Sequence, residues 1–360
     1  MGKGKLEELA KERKELDADV VIIDDEISPN QQKNIEKAFG IPVIDRSELI
    51  LEVFSKHAKT REARLQIELA KHKYQLPRLR RMWTHLSRQS GSGQLKGEGE
   101  QQIEIDRRIL RTRITQLEAE LKNVRAHRMT QRRARLRSGD PLFAIIGYTN
   151  AGKSSLLNYL TDAGVLVEDK LFATLDTTTR KVELPSKQTA LLIDTVGFVR
   201  KLPHTLVASF QSTLEEAAFT DVLIHVVDIA DPMAIEHAET TIQVLKDLHI
   251  KGKPIITVLN KIDECENNNA IRKFRLTFPK TVMVSAKTGE GIDILLERMQ
   301  KEIEAIRKIC DVRIPQKEYA LVSQLMREGR VLNEEYDGND ILLQVEVPEH
   351  LVSVIERYLV

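Results

Sequence analysis

The eight residues from Gly147 to Ser154 limit the possible folds of this chain more than any other segment. They read G-Y-T-N-A-G-K-S, follow the apolar run LFAIIG and precede the helix-forming segment SLLNYLTDA. A strand, a glycine-containing turn and a helix in this order form a phosphate-binding loop, because backbone amides and the positive helix end face one anion. The sequence therefore predicts an α/β domain built around a phosphate site.

Apolar runs that end in polar residues recur along the next part of the chain, and each is followed by a plausible helix. The runs are LFAIIG, TALLIDTVG, VLIHVVDIAD, PIITVLNKID and TVMVSAK. Strands that alternate with helices form an open, mostly parallel sheet with helices on both faces, and its functional loops lie at the carboxyl ends of the strands. We expect this P-loop domain to span residues 139–308.

Three of these strand ends carry groups that complement a guanine nucleotide. Asp194, in DTVG, can hold the water shell of Mg²⁺, and Gly197 can offer its amide to a γ-phosphate. Asp263, in NKID, can accept hydrogen bonds from both N1–H and the 2-amino group of guanine, whereas adenine leaves it unpaired. The SAK segment at 285–287 can complete the base pocket with backbone amides. Together these motifs predict a P-loop GTPase that binds GTP and GDP with Mg²⁺.

The predicted GTP-binding residues are Gly147, Tyr148, Thr149, Asn150, Ala151, Gly152, Lys153, Ser154, Ser155, Phe172, Ala173, Thr174, Leu175, Asp176, Asp194, Thr195, Val196, Gly197, Asn260, Lys261, Ile262, Asp263, Ser285, Ala286 and Lys287.

The metal ligands and the catalytic group depend on the switch segments. Ser154 is the first predicted Mg²⁺ ligand, and Thr174 is our choice for the second because it lies nearly midway between Lys153 and Asp194. The other threonines of FATLDTTTR can simply begin a strand. Phe198 occupies the position where Ras-type enzymes have the glutamine that orients the attacking water. Since phenylalanine forms no such hydrogen bond, the catalytic residue is unknown, and we expect slow hydrolysis that a partner stimulates.

The chain before the P-loop domain is basic. Residues 1–140 contain 30 Lys and Arg against 22 Asp and Glu, although the whole chain has a net charge of only +1. Residues 1–60 predict a small α/β subdomain in which runs at 18–24 and 41–46 form a parallel strand pair. Residues 61–138 predict a basic antiparallel helical hairpin with a glycine-rich tip at 90–101, and the helical pattern runs from Ser47 to Arg88 with a break near Pro77. This charge favours a polyanionic partner.

The end of the chain and its composition set further expectations. Residues 309–360 predict a small α+β domain with the order helix, strand, strand, helix. No apolar run is long enough to span a membrane, and two cysteines are too few for a disulfide framework. We therefore expect a cytoplasmic protein, and a monomer.

The motifs resemble the translation-factor-like branch of P-loop GTPases. GYTNAGKSSLLNYLT, FATLDTTTR and DTVGFVRKLP are similar to the HflX family, close to the Obg group, and so are GKGKLEEL at 2–9 and GEGEQQIEIDRR at 97–108. Thr177 departs from the proline that is common in the family, and HflX proteins usually carry more sequence before GKGK. Asn150 resembles the asparagine of GTPases that use K⁺, and the alternative is a hydrogen bond that stabilises the loop.

The resemblance implies a GTPase that binds the 50S ribosomal subunit and dissociates or rescues stalled ribosomes. It implies that the hairpin faces rRNA, so that arginines there contact phosphates without reading bases. Three alternatives stay open: a solvated or internally paired hairpin, a GTPase acting on another RNA, and a protein-interaction scaffold that GTP stabilises. The arginines in question are Arg107, Arg108, Arg111, Arg128, Arg132, Arg133, Arg135 and Arg137.

Overall fold

The structure is a computed structural model. It describes residues 2–79, 96–136, 140–161, 178–195, 197–198, 215–250, 252–265, 268–278 and 280–360. These residues form two compact units, one up to residue 124 and the other from residue 125 onward. Within the described ranges, no helix combines the length and the apolar character needed to cross a membrane.

The first unit contains the predicted small α/β subdomain and the long helices. Its elements are α1 (Lys3–Glu15), β1 (Val21–Ile23), α2 (Pro29–Phe39), β2 (Val43–Asp45), α3 (Arg46–His57), α4 (Arg61–Gln75) and the part of α5 (Lys96–Leu136) up to residue 124. Strands β1 and β2 pair in parallel, as predicted. Helix α2 begins at a capping box formed by Ser28 and Gln31, and it ends at Gly40, which has a positive φ of 73°.

The helical region after Ser47 differs from the prediction. It is not continuous, because three residues separate the end of α3 at His57 from the start of α4 at Arg61. The Thr60 hydroxyl caps α4 by accepting a hydrogen bond from the amide of Ala63 at 3.1 Å. Pro77 lies in a short 3₁₀ turn, Leu76–Arg78. Helix α5 begins at Lys96, so the second half of the predicted glycine-rich tip at 90–101 is helical. Residues 80–95 lie outside the described part of the chain.

Helices α4 and α5 pack together through an apolar cluster that includes Leu65, Leu69, Leu117 and Leu121. Ion pairs lie beside this cluster, namely Glu68–Arg113 at 2.8 Å, Lys73–Glu118 at 2.7 Å and Arg61–Glu120 at 3.4 Å. Part of the hairpin charge is therefore paired internally. The antiparallel arrangement stays a prediction, because the connection lies outside the described residues.

The second unit contains the predicted open sheet. Its first elements are β3 (Leu142–Gly147), α6 (Lys153–Thr161), β4 (Thr178–Glu183), β5 (Thr189–Asp194), β6 (Val222–Asp228), α7 (Ala234–Asp247), β7 (Ile255–Asn260), α8 (Asn268–Thr277), β8 (Thr281–Met283) and α9 (Ile292–Ile306). The described strands follow the order β4-β5-β3-β6-β7-β8, and all pairings are parallel except β4 with β5. The mostly parallel sheet is confirmed, and β4 is an additional edge strand.

Strand β3 lies at the centre of the core, and its alternate residues face opposite layers of helices. Phe143 and Ile145 belong to a buried cluster with Leu156 of α6 and Leu295 of α9. Ile146 belongs to a second cluster on the other face, with side chains of α7. Helices therefore cover both faces, and the carboxyl ends of the parallel strands form the edge at which the predicted site residues meet.

The C-terminal part forms a small antiparallel sheet with helices. Its elements are β9 (Arg307–Pro315), α10 (Tyr319–Glu328), β10 (Arg330–Asp337), β11 (Asp340–Pro348) and α11 (Glu349–Ile355), and the strand order is β10-β11-β9. The predicted order of helix, strand, strand and helix is present, but it is preceded by β9, which the prediction omitted. Strand β9 follows α9 without an intervening residue. Its buried residues alternate at Cys310, Val312 and Ile314, as in a half-buried strand.

Candidate nucleotide-binding site

Two glycines shape the turn between β3 and α6. Gly147 has a φ of 152°, and a Cβ atom there would lie 2.2 Å from the carbonyl oxygen of Val226. Gly152 has a φ of 88°, and a Cβ atom there would lie 2.1 Å from Nδ2 of Asn260. Both positions combine a backbone conformation that favours glycine with a close neighbour. The turn therefore accepts no side chain at either position without rearrangement.

Lys153 begins α6 and lies within the turn. Its side chain is buried, and Nζ donates a hydrogen bond to the carbonyl oxygen of Tyr148 at 2.7 Å. Burial lowers the pKa of Lys153 to about 8, and the charge of Asp194 opposes this decrease. A Cβ atom on Gly197 would lie 2.8 Å from Nζ. The glycine of DTVG therefore lies directly against the lysine of the loop, as a shared γ-phosphate site requires.

Ser154 and Asp194 form the pair nearest to a metal site. The Ser154 hydroxyl donates a hydrogen bond to Oδ2 of Asp194 at 2.9 Å, and Asp194 is buried at the end of β5. Among the described residues, no group of three or more His, Cys, Asp or Glu side chains could hold a metal by itself. A hydroxyl beside a carboxylate suits Mg²⁺, which prefers oxygen ligands and completes its shell with water and phosphate. The residues present therefore fit this ion.

Phe198 is a core residue. Its side chain is 1% exposed and packs in the cluster that contains Ala144, Ile146 and Leu245. Its amide donates to the carbonyl oxygen of Gly147 at 3.0 Å, and its carbonyl oxygen accepts from the amide of Thr149 at 2.9 Å. The residue at the usual glutamine position therefore joins the DTVG segment to the phosphate loop through its backbone, and its side chain lies in the core.

Asn260, at the end of β7, links the phosphate loop to the SAK segment. Its Nδ2 donates to the carbonyl oxygen of Ala151 at 2.9 Å, and its Oδ1 accepts from the amide of Ala286 at 3.0 Å. The side chain is buried. One amide side chain thus connects the phosphate loop at Ala151 with the SAK segment at Ala286.

The neighbouring residues of NKID carry the charges of the base pocket. Lys261 has a positive φ of 64°, and its Nζ lies 2.6 Å from Oδ2 of Asp228. A hydrogen bond from Ser285 is the main reason that the pKa of Asp263 is lower than usual. Lys287 is exposed, with Nζ 3.9 Å from Oδ2 of Asp263. Asp263 is thus held as a carboxylate, the form that accepts both hydrogen bonds of guanine.

Residues of α6 and of the NKID and SAK segments line an open cleft of about 630 Å³, a volume typical of small-ligand sites. The residues that line it are Gly152, Ser155, Asn158, Tyr159, Asn260, Lys261, Asp263, Glu264, Ala286 and Lys287.

Consecutive segments of the chain match four family models. These are "GTP-binding GTPase N-terminal" at residues 1–55, "GTP-binding GTPase Middle Region" at 57–135, "50S ribosome-binding GTPase" at 142–261 and "HflX C-terminal domain" at 272–359. The GTPase HflX of Chlamydia pneumoniae is 50% identical over 353 residues, which cover 97% of this chain and 75% of that protein. The GTPase HflX of Escherichia coli is 40% identical over 97% of this chain and 82% of its own length.

This chain belongs to the HflX family of GTPases. It is accordingly a GTP-binding protein and a GTPase, as the motifs predicted. A solved GTP-binding protein from the archaeon Sulfolobus solfataricus, in complex with GDP, is 26% identical. It matches with a TM-score of 0.47 over 84% of this chain and 85% of that chain. The family assignment does not depend on this likeness.

In this HflX-family GTPase the phosphate loop has a side-chain support that the motifs do not indicate. Tyr148 stacks on His237 of α7, with ring centroids 3.8 Å apart and an interplanar angle of 7°. Nδ1 of His237 lies 3.2 Å from Oδ2 of Asp231, whose other oxygen accepts a hydrogen bond from the amide of Met233. The Tyr148 side chain of the phosphate loop therefore packs on His237, and Asp231 orients the histidine ring.

A second histidine, His225, lies on β6 beneath the loop. It is fully buried, and neither ring nitrogen has a hydrogen-bond partner within the described structure. Burial lowers the pKa of His225 to about 4. The ring borders a cavity of about 60 Å³ that Tyr148, Asp231 and His237 also line. His225 is thus held in its neutral form.

The structure brings most of the predicted site residues together at the carboxyl edge of the sheet. The predicted residues Phe172, Ala173, Thr174, Leu175, Asp176 and Val196 lie outside the described residues. Thr178 and Thr179 begin β4, in agreement with the alternative that some threonines of this segment start a strand. Sequence reasoning missed Asp228 and His237. The strand end VVDIAD contains Asp228 and is the one local signal that could have indicated it.

Proposed function

We propose that this HflX-family GTPase binds and hydrolyses GTP in the cleft at the sheet edge and uses the nucleotide state to bind the 50S ribosomal subunit. There it dissociates or rescues stalled ribosomes. The observation that carries the nucleotide part is the convergence of Lys153, Asp194 and Asp263 on one edge of the sheet, joined through Asn260. The description of the matching family model, "50S ribosome-binding GTPase", supports the ribosomal part.

The phosphate end of the cleft assigns roles to the loop residues. Backbone amides between Gly147 and Lys153 bind the α- and β-phosphates, and Lys153 exchanges its bond to the Tyr148 carbonyl for the β- and γ-phosphates. Ser154 and Thr174 would hold Mg²⁺, and Asp194 would hold part of its water shell. When bound, the ion neutralises phosphate charge. Asn150 makes K⁺ a candidate second cation, and an unchanged rate after replacement of KCl by NaCl would assign Asn150 to loop stability alone.

The base end of the cleft selects guanine through Asp263. Substituting Asp263→Asn replaces one acceptor oxygen by a donor, which matches the 2-oxo group of xanthine instead of the 2-amino group of guanine. We expect the affinity for GDP to fall by roughly 100-fold or more, because two hydrogen bonds to a charged acceptor are disrupted. Affinity for xanthosine diphosphate should rise in the same variant. If GDP and xanthosine diphosphate change in parallel, Asp263 does not read the base.

Hydrolysis by the free protein is slow because Phe198 supplies no group that orients water. A partner that orders the switch segments, in this proposal the 50S subunit, accelerates the reaction. The test is GTP turnover by the purified protein alone, with 50S and with 30S subunits. Stimulation by 50S alone is the expected result. Turnover of several per second without a partner would contradict the role given to Phe198, and no stimulation by either subunit would overturn the ribosomal assignment.

The basic face of α5 is the described surface best suited to rRNA. Arg107, Arg108 and Arg111 border a shallow pocket of about 440 Å³, and no ion pair engages them within the described part of the chain. Side chains of the other predicted arginines, from 128 onward, lie outside the described residues. Arginines that remain unpaired can contact the phosphate backbone and release counterions.

A salt series on charge-reversal variants tests this surface. We expect Arg107→Glu, Arg108→Glu and Arg111→Glu together to weaken 50S binding and to lower the slope of log affinity against log salt by roughly 2 to 3. The matched control reverses three exposed lysines of the second unit, Lys301, Lys308 and Lys317, with the same change in net charge. Equal effects of the two triple variants would mean that net charge, and not α5, governs binding.

A further inference from the structure

Tyr159 lies on α6, six residues after the lysine of the phosphate loop, and it is 46% exposed on the wall of the nucleotide cleft. An exposed tyrosine is an ordinary surface residue unless its ring makes a contact that the site needs. Here the ring meets Gly289, in the segment that follows SAK. A Cβ atom on Gly289 would lie 1.9 Å from the Tyr159 hydroxyl oxygen and 2.5 Å from Cζ. The phenol ring therefore packs directly on the glycine backbone.

Gly289 is part of a tightly hydrogen-bonded loop, residues 285–291. The Gly289 amide donates to the carbonyl oxygen of Ser285 at 2.8 Å, and the Ser285 amide donates to the carbonyl oxygen of Glu290 at 2.9 Å. The Ser285 hydroxyl accepts from the amide of Thr288 at 3.1 Å. Gly289 itself has a φ of 86°. The loop therefore closes around Ser285, and the tyrosine ring covers the point where its backbone turns.

Ser285 connects this loop to the base pocket. It is fully buried, and its side chain is the main cause of the lowered pKa of Asp263. Lys287 of the same loop also approaches Asp263, with Nζ 3.9 Å from Oδ2. A shift of the loop would move Ser285, and with it the carboxylate that faces guanine. The contacts thus run in one line from Tyr159 through Gly289 and Ser285 to Asp263.

We propose that Tyr159 is a positioning residue for guanine selectivity, which acts by holding the loop 285–291 through its contact with Gly289. The inference rests on the proposed role of Asp263 in reading guanine and extends it to a residue outside the four nucleotide motifs. Tyr159 needs no contact with the nucleotide for this role. Its effect is therefore largest on the part of the affinity that depends on the guanine 2-amino group.

The test compares GDP with inosine diphosphate, which lacks the 2-amino group, by competition against a fluorescent guanine nucleotide. Loss of one hydrogen bond to a charged acceptor should make inosine diphosphate bind roughly 10- to 100-fold more weakly to the unchanged protein. In Tyr159→Ala we expect that ratio to fall by about fivefold or more. Tyr159→Phe keeps the ring and should keep the ratio. Tyr336→Ala, which removes an exposed tyrosine from β10, is the matched control.

Gly289→Ala supplies an independent approach to the same contact. The added methyl group collides with the Tyr159 ring, so this variant should also lose selectivity. In the Tyr159→Ala background, Gly289→Ala should reduce the ratio by less than it does alone, because the collision is gone and the two changes share one contact. Effects that simply multiply would overturn the proposal.

Hydrogen exchange distinguishes a local change in the loop 285–291 from a general loss of stability in a variant. Tyr159→Ala should speed exchange of amides in the segment 285–291, while those of the buried strand β3 stay protected. Equal loss of GDP and inosine diphosphate affinity, or an unchanged ratio, would overturn the role of Tyr159. A wild-type protein that shows no preference for GDP over inosine diphosphate would instead overturn the role of Asp263, so the two failures are distinguishable.

Discussion

His225 should make the stability of the nucleotide-binding unit depend on pH. The ring is fully buried on β6 without a hydrogen-bond partner, and its pKa is lowered from 6.5 to about 4. Between these values the unfolded chain binds a proton and the folded chain does not. The free energy of unfolding must therefore fall as the pH falls from about 6.5 toward 4.

The size of the effect follows from the two pKa values. Proton linkage at His225 alone lowers the free energy of unfolding by about 2 kcal/mol when the pH falls from 7.5 to 5. The cavity of about 60 Å³ beside the ring has room for water. Water hydrogen-bonded to the ring would raise the pKa toward its ordinary value, so the measured loss also reports how dry the cavity is.

The assay compares the unchanged protein with His225→Leu, which replaces the titratable ring on β6 by an apolar side chain of similar size. The chain has one tryptophan, Trp83, which is distant from β6 in the sequence and lies outside the described residues, so tryptophan fluorescence is not a suitable probe of β6. Hydrogen exchange of the β6 amides at pH 5 and 7.5, corrected for intrinsic rates, reports on this strand directly. The other eight histidines cancel in the difference between the two proteins. A difference that is the same at both pH values would refute the reasoning.

Three further substitutions test contacts of the site. Asn260→Ala leaves the Ala151 carbonyl and the Ala286 amide without their partner. We therefore expect the free energy of unfolding, measured in urea, to fall by roughly 2–4 kcal/mol and GTP to bind more weakly. An unchanged GTP affinity would mean that this link has no part in the site. Phe198→Gln should not accelerate GTP hydrolysis, and it should destabilise the protein by roughly 2–4 kcal/mol because it buries an amide in an apolar cluster. Phe198→Leu is the apolar control. Faster turnover in Phe198→Gln would refute the assignment of Phe198 to the core. His237→Ala should lower nucleotide affinity about 3- to 10-fold, because it removes the ring that stacks on Tyr148 of the phosphate loop. His237→Phe keeps an aromatic ring and should keep the affinity. Equal losses in both variants would exclude stacking as the cause.

The parts of the site that sequence reasoning predicted are those whose chemistry is local. Gly147, Gly152 and Lys153 lie within one eight-residue segment, and the spacing alone requires the turn that the structure contains. Asn260 and Asp263 likewise share one strand end. The support behind the loop was not predictable in this way, because Tyr148 and His237 are distant in the sequence and meet only when α7 packs on the sheet.

The parts of the fold that were not predicted each lack a clear local signal in the sequence. The chain contains no glycine or proline between α3 and α4, so its helical pattern looked continuous, although Thr60 before a charged segment is an N-cap signal. Strand β4 was indicated only at its threonine-rich start. It is an edge strand of the described sheet, paired with β5, and its polar side chains resemble those of a loop. Strand β9 does alternate in its apolar residues, but it follows a helix directly, with no turn residue to separate the two patterns.

The junction between α9 and β9 bears on how such proteins could exchange parts. No residue separates Ile306 from Arg307, so the last helix of the nucleotide-binding sheet runs directly into the C-terminal sheet. The segment matched by the "HflX C-terminal domain" model, residues 272–359, accordingly begins inside α8 and includes the SAK loop. A recombination breakpoint at the junction would leave no linker residue on either side, because the helix and the strand are directly adjacent. A gene fragment that covers the whole matched segment, residues 272–359, would therefore carry the SAK segment together with the C-terminal sheet.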